Sequence, residues 1–126
     1  MMVTTAAIVF TTLIGIVVIF QACLAAGVPW GAASMGGKFP GKYPPKMRAV
    51  ALLNILILLL IAVIGLSRAD LFFTQMLPFS KPAMWVVVIF FVFGTVMNII
   101  TPSKIERIWA PVAGIQLITS IIIALS

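Results

Sequence analysis

Charge is confined to the seams of this chain. Its eight basic and two acidic residues fall between four long apolar runs and never within them. Nothing charged precedes Lys38, and Ala49–Ser67, Pro82–Ser103 and Ile108–Ser126 are charge-free as well. A hydrocarbon core about 30 Å thick is crossed by roughly 20 apolar helical residues. Four runs of that length, separated by polar or Gly/Pro-rich breaks, predict an all-α integral membrane protein, a four-helix transmembrane bundle forming one membrane domain over residues 1–126. The spans are expected at roughly 3–26, 48–67, 82–100 and 103–125.

Composition excludes the soluble alternatives. The chain is 63% hydrophobic and 8% charged, against about 25% charged in globular domains, and the four spans leave no room for a soluble unit. A formal charge of +6 invites a nucleic-acid reading, but basic residues scattered along membrane boundaries signal orientation instead. The N-terminal run lacks a basic start and exceeds the apolar core of about 7–15 residues found in a signal peptide, so it is read as a retained first helix. Cys23 is the single cysteine and histidine is absent, which excludes an intrachain disulfide and argues against a metal or haem site. No cofactor is expected.

Basic residues set the orientation. The first loop carries Lys38, Lys42, Lys46 and Arg48, and the third carries Lys104 and Arg107. The second carries Arg68 and Lys81. The positive-inside rule places loops one and three in the cytoplasm and both termini outside a cell membrane. Trp30, Trp85 and Trp109 lie near span ends, where indole rings favour the headgroup layer.

Each span carries one side-chain amide: Gln21, Asn54, Asn98 and Gln116. Gln21, Asn54 and Asn98 lie within about 10 Å of the cytoplasmic helix ends, and Gln116 lies deeper. Helical phase puts Asn54 on a face with Leu58, Ile61 and Gly65, and Asn98 on a face with Gly94, Val87 and Ala83. It also aligns Glu106, Ala113, Ser120 and Ala124, with Gln116 at the edge. In the first helix Thr4, Thr11, Gly15, Ala22 and Ala26 form a small-residue stripe, expected to allow close helix approach. Two readings of the amides remain: interhelical glue worth about 0.6–2 kcal/mol a pair, or a polar vestibule holding a ligand or headgroup.

The loops are unusual. Gly27–Lys46 holds five of nine glycines and four of eight prolines and cannot be a continuous helix. Within it, G-G-K-F-P-G-K-Y (36–43) approaches the phosphate-loop pattern, but Tyr43 replaces the magnesium-binding hydroxyl and no strand precedes it. The basic residues either serve orientation alone or hold anionic lipid headgroups, each being worth on the order of 1 kcal/mol near an anionic surface. In the third loop, Ser103 and Glu106 form a capping-box pattern that starts the fourth helix near 103, and Pro111 is then expected to kink that helix. Glu106, at the edge of hydrocarbon, is costly unless paired. A cap or an ion pair, with Arg48 as partner, is the simpler role, and a proton-coupled or catalytic carboxylate is the other.

Together these loops resemble a set of small four-pass prokaryotic membrane proteins of uncharacterised function. The resemblance rests on G-x-P-W-G at Gly27–Gly31, G-G-K-x2-G at Gly36–Gly41, N-x2-T-P-S-x2-E-R at Asn98–Arg107 and W-x-P at Trp109–Pro111. It implies the four-helix architecture and no particular activity. Small multidrug transporters differ, carrying a glutamate in a first helix that here has no acid.

Three classes of function remain. A lipid- or small-molecule-binding bundle, or an accessory subunit of a larger membrane complex, suits the absence of a nucleophile–base pair or metal cluster. A small dimeric transporter with a polar site in its cytoplasmic half is the alternative, and a membrane enzyme is third. The residues proposed for ligand or lipid contact are Gln21, Trp30, Lys38, Lys42, Arg48, Asn54, Asn98, Glu106, Arg107 and Gln116. A reporter fused after Ser126 is expected to be active on the outer face; cytoplasmic activity overturns the orientation.

Overall fold

The computed structural model describes residues 2–71 and 77–126. The described chain is helical, with four helices long and apolar enough to cross a membrane. They are α1 (Met2–Ala26), α2 (Pro45–Arg68), α3 (Leu77–Ile100) and α4 (Trp109–Leu125). Around the bundle the order is α1, α2, α3, α4. The α1–α2 and α3–α4 seams are the most extensive, α1–α4 is intermediate, and α2–α3 is the thinnest. The start of α1 and the end of α4 lie together, with Ala6, Ala7, Ile123 and Ala124 in one core cluster. Arg68, at the end of α2, donates to the Ser126 carbonyl at that same end.

Packing is dense in this terminal half. Phe10 is wholly buried and meets Phe91 edge-on, with ring centroids 5.4 Å apart. Its ring fits against Gly65, where an added Cβ would stand 2.9 Å from Phe10 Cε2. Leu58, Ile61, Met84, Val87 and Val88 complete the core. The loop-side half differs. From Leu52 to Ile57 on α2 and from Val92 to Ile100 on α3, no residue is fully buried. A second, smaller core there (Phe20, Leu24, Ala33, Tyr43, Ala51) seals the α1–α2 side against loop one. The α2–α3 side has no such seal.

Several expectations are corrected. The small-residue stripe of α1 points outward: Thr4, Gly15, Ala22 and Ala26 are exposed. The packed face is Ala7, Phe10, Ile14 and Leu24, because a large ring set against Gly65 fills space better than two small surfaces. α2 starts three residues early, with Pro45 in its first turn, where its missing N–H costs nothing. α3 starts five residues early and takes Lys81 and Pro82 inside it, so the proline is not the helix boundary.

α4, conversely, starts six residues late, after a 3-10 turn at Glu106–Ile108. Ser103 Oγ does accept from the Glu106 N–H at 3.3 Å, but the Glu106 carboxylate does not return the bond. Pro111 falls in the first turn of α4, among N–H groups that have no intrahelical acceptor, and interrupts no ladder.

The Phe10–Gly65 fit gives a test. Gly65→Leu is expected to destabilise the detergent-solubilised protein by about 1–3 kcal/mol, read as a lower Tm, and Phe10→Ala in the same chain should recover part of the loss. Independent, additive effects would refute the contact.

Candidate functional site

Loop one is a folded cap across the end of the bundle. Its 3-10 turns at Gly31–Ala33 and Met35–Gly37 lie in a loop closed by the Gly31 N–H, which donates to the Gly41 carbonyl at 2.9 Å. Gly31 is required by close approach: an added Cβ would lie 1.8 Å from the Phe39 carbonyl oxygen. Tyr43 is buried, its hydroxyl paired with that of Ser34 and its ring edge-on to Phe39 at 6.0 Å. Arg48 Nε donates to the Tyr43 carbonyl at 2.9 Å, and its guanidinium lies against Gly27. Arg48 thus pins the cap to the end of α1 and is not the partner of Glu106.

Three contacts join the cap to loop three and to the start of α4. The Gly36 N–H donates to both carboxylate oxygens of Glu106, at 3.1 and 3.2 Å. Ser103 Oγ donates to the Ala32 carbonyl, and Trp109 Nε1 donates to the Ala33 carbonyl at 3.1 Å. The Trp109 ring lies 4.7 Å from that of Phe20, so this indole anchors the cap. Arg107 is occupied in its own turn, donating through Nε and Nη2 to the Thr101 carbonyl at 3.3 and 3.2 Å. Gly36 and Gly37 have φ of +66° and +76°, a region glycine enters without steric cost. In the phosphate-loop-like sequence, then, the anion met by a backbone amide is the chain's own Glu106.

Beneath the cap lies a cavity of about 240 Å³. Gln21, Asn54, Asn98 and Gln116, one from each helix, all line it, together with Glu106, Ser34 and Tyr43 from above. The amides do not bond to one another. Asn98 Nδ2 donates to Gly94 in its own helix at 2.8 Å. Gln116 is 3% exposed, and its Nε2 has no hydrogen-bond partner among the described residues. Phe20, Phe91 and Trp109 supply the aromatic walls. The cavity opens between α2 and α3, where Ile57 and Phe90 are 38% and 44% exposed and Gly94 faces open space, with nothing within 4 Å of an added Cβ.

The expected site residues therefore divide. The amides and Glu106 converge on the cavity. Lys38 and Lys42 are exposed on the cap, with Lys46 and Lys104. Arg48 and Arg107 are structural pins. Trp30 lines a separate apolar recess of about 490 Å³ outside α1 and the third loop, behind the Phe20–Trp109 wall. Tyr43 and Ser34 are lining residues that the sequence did not single out. Their only signal was a lone tyrosine and a serine inside a Gly/Pro-rich loop, and their pairing depends on how that loop folds.

No protein-family model matches the chain, and no curated protein or solved structure is significantly similar to it.

Gly31→Ala is expected to displace the cap and lower Tm by at least the equivalent of about 2 kcal/mol. Gly41→Ala, where only a φ of +77° opposes the side chain, should cost about 1 kcal/mol. Thermal unfolding followed by tryptophan fluorescence checks both, and equal effects would refute the tight Gly31 approach.

Proposed function

We propose that this protein is a binding bundle: a four-pass membrane protein that holds a small polar molecule or headgroup in the capped cavity at its loop end. The observation that carries the reading is the convergence on one cavity of Gln21, Asn54, Asn98 and Gln116, one amide from each helix, with Glu106; Gln116 is buried there with an Nε2 unpaired among the described residues. An unpaired buried donor costs about 1–3 kcal/mol, and a chain that merely needed a packed core would place an apolar residue there. The other three amides point the same way. Glue would bond helix to helix, whereas Asn98 bonds its own backbone and all four side chains meet in one space. The lining offers donors, acceptors and one carboxylate, without histidine, cysteine or lysine, which suits binding over covalent chemistry.

Within this reading the cap faces the cytoplasm of a cell membrane. The support is the excess of basic residues on loops one and three, where the exposed lysines of the cap can meet anionic headgroups. The bundle then serves as a receptor for its ligand, alone, as a homodimer or as a subunit of a larger membrane complex.

Two variants test the binding reading. Gln116→Met keeps the side-chain length and removes the amide, and is expected to raise the intrinsic stability by about 1–3 kcal/mol. Gly94→Phe adds a ring at the mouth of the cavity, from a position where an added Cβ meets nothing within 4 Å. Native mass spectrometry of gently extracted protein is expected to find a bound mass on the wild type that both variants lose. Retention of that mass by both, with no gain in Tm for Gln116→Met, would overturn the reading.

A further inference from the structure

We infer that the ligand of this cavity is a cationic amphiphile, with an ammonium-type head among Glu106 and the amides and an apolar chain leaving through the α2–α3 cleft. The inference rests on the binding reading and adds to it the chemical class of the ligand.

Charge is the first argument. The chain has eight basic residues and two acidic ones, yet the cavity lining contains one acid and no base. Its sign is opposite to that of the protein as a whole. Arg48 and Arg107, the guanidinium groups of this end, are turned to the Tyr43 and Thr101 carbonyls. Glu106 forms no ion pair among the described residues. Its two oxygens share a single backbone N–H, while a carboxylate has about four acceptor positions. Near hydrocarbon such a group calls for a counter-charge, and a cationic ligand supplies it. An anionic head would instead meet Glu106 directly and find no basic side chain.

Size and shape give the second argument. About 240 Å³ is the volume of roughly eight water molecules at about 30 Å³ each, and falls below the roughly 300 Å³ where pockets for drug-sized ligands begin. It takes a headgroup and not a whole lipid. The wall that is missing lies between α2 and α3, where half-exposed Ile57 and Phe90 flank Gly94. That opening faces the apolar side of the bundle, so a chain attached to the head remains in hydrocarbon. Phe20, Phe91 and Trp109 line the inner wall, and aromatic rings are the side chains that add cation–π attraction for a desolvated ammonium.

The test uses the full-length protein in a mild non-ionic detergent and native mass spectrometry with three probes of equal chain length: dodecyltrimethylammonium, dodecanol and dodecanoate. One dodecyltrimethylammonium per chain is expected to bind at least tenfold more tightly than either other probe. Glu106→Gln still accepts from Gly36 and should lose about tenfold or more of that affinity, with dodecanol unchanged. Tetramethylammonium, the head without the chain, should bind at least tenfold more weakly; equal binding overturns the chain in the cleft. Equal binding of the three long probes, all blocked by Gly94→Phe, overturns the cation and leaves the cavity reading standing. Binding that Gly94→Phe does not alter overturns the cavity reading itself. Should Glu106→Gln fail to fold, the preference of the wild type for the cation over dodecanol decides the matter alone.

Discussion

One backbone N–H and one carboxylate organise the loop end of this bundle. The Gly36 amide can reach Glu106 only because the chain there adopts positive φ, which two adjacent glycines permit. Once made, the bond draws the Glu106 carboxylate away from the capping position it would occupy in an isolated helix. Ser103 still accepts from the Glu106 N–H, and its hydroxyl in addition donates to the Ala32 carbonyl. With the carboxylate committed to loop one, the Ser103 cap leads only into the 3-10 turn at Glu106–Ile108, and regular α-helix begins at Trp109. That residue's indole then supplies the third contact to the cap. The late start of α4, the folded state of loop one and the roof of the cavity are thus consequences of a single exchange of partners.

The same exchange explains the contrast between the two ends of the bundle. At the terminal end, helix packing is direct: Phe10 fills the gap at Gly65, and a closely packed apolar cluster follows. At the loop end the cap bridges α1, α2 and α4 from above and seals the α1–α2 side through Phe20, Leu24 and Tyr43. α3 takes no part in that seal. Its last turns carry Gly94 and Asn98 where a large apolar residue would have closed on α2. A glycine facing open space together with an amide bonded to its own helix leaves the cleft, and nothing in the remaining packing forces it shut.

How much of this was legible in the sequence follows from the range of the physics involved. The four spans and the placing of all four amides in the loop-side half, Gln116 deepest, depend on hydropathy and helical rise, which are local, and both are visible in the chain itself. The inward face of α1 was not. In hydrocarbon, apolar character does not separate a lipid-facing side chain from a packed one, so the small-residue stripe was as good a guess as the aromatic face that actually packs. Choosing correctly required knowing that Gly65 stands opposite Phe10. Glu106 was recognisable as an acid in need of a partner, but the choice between Arg48 and a glycine amide 70 residues away in sequence depends on how loop one folds. Tyr43 was hidden for the same reason. Spacing within a loop rich in glycine and proline does not tell which side chains turn inward.

The placement of polar groups carries a final physical point. Seven polar side chains gathered at one end of a small bundle are expensive if they serve only to hold helices together, because each buried amide must find a partner or lose stability. Here the bonds that hold the cap are made by Glu106, by the Ser34–Tyr43 pair and by backbone carbonyls of the loop, while helix hydroxyls turn back on their own backbone. Thr95 and Thr119 bond to Phe91 and Ile115 four residues earlier. The amides are left over from that accounting. A fold that satisfies its structural needs without them, and still buries Gln116, has kept hydrogen-bonding capacity in reserve. The capacity sits beneath a carboxylate and beside the thinnest seam of the bundle, between α2 and α3.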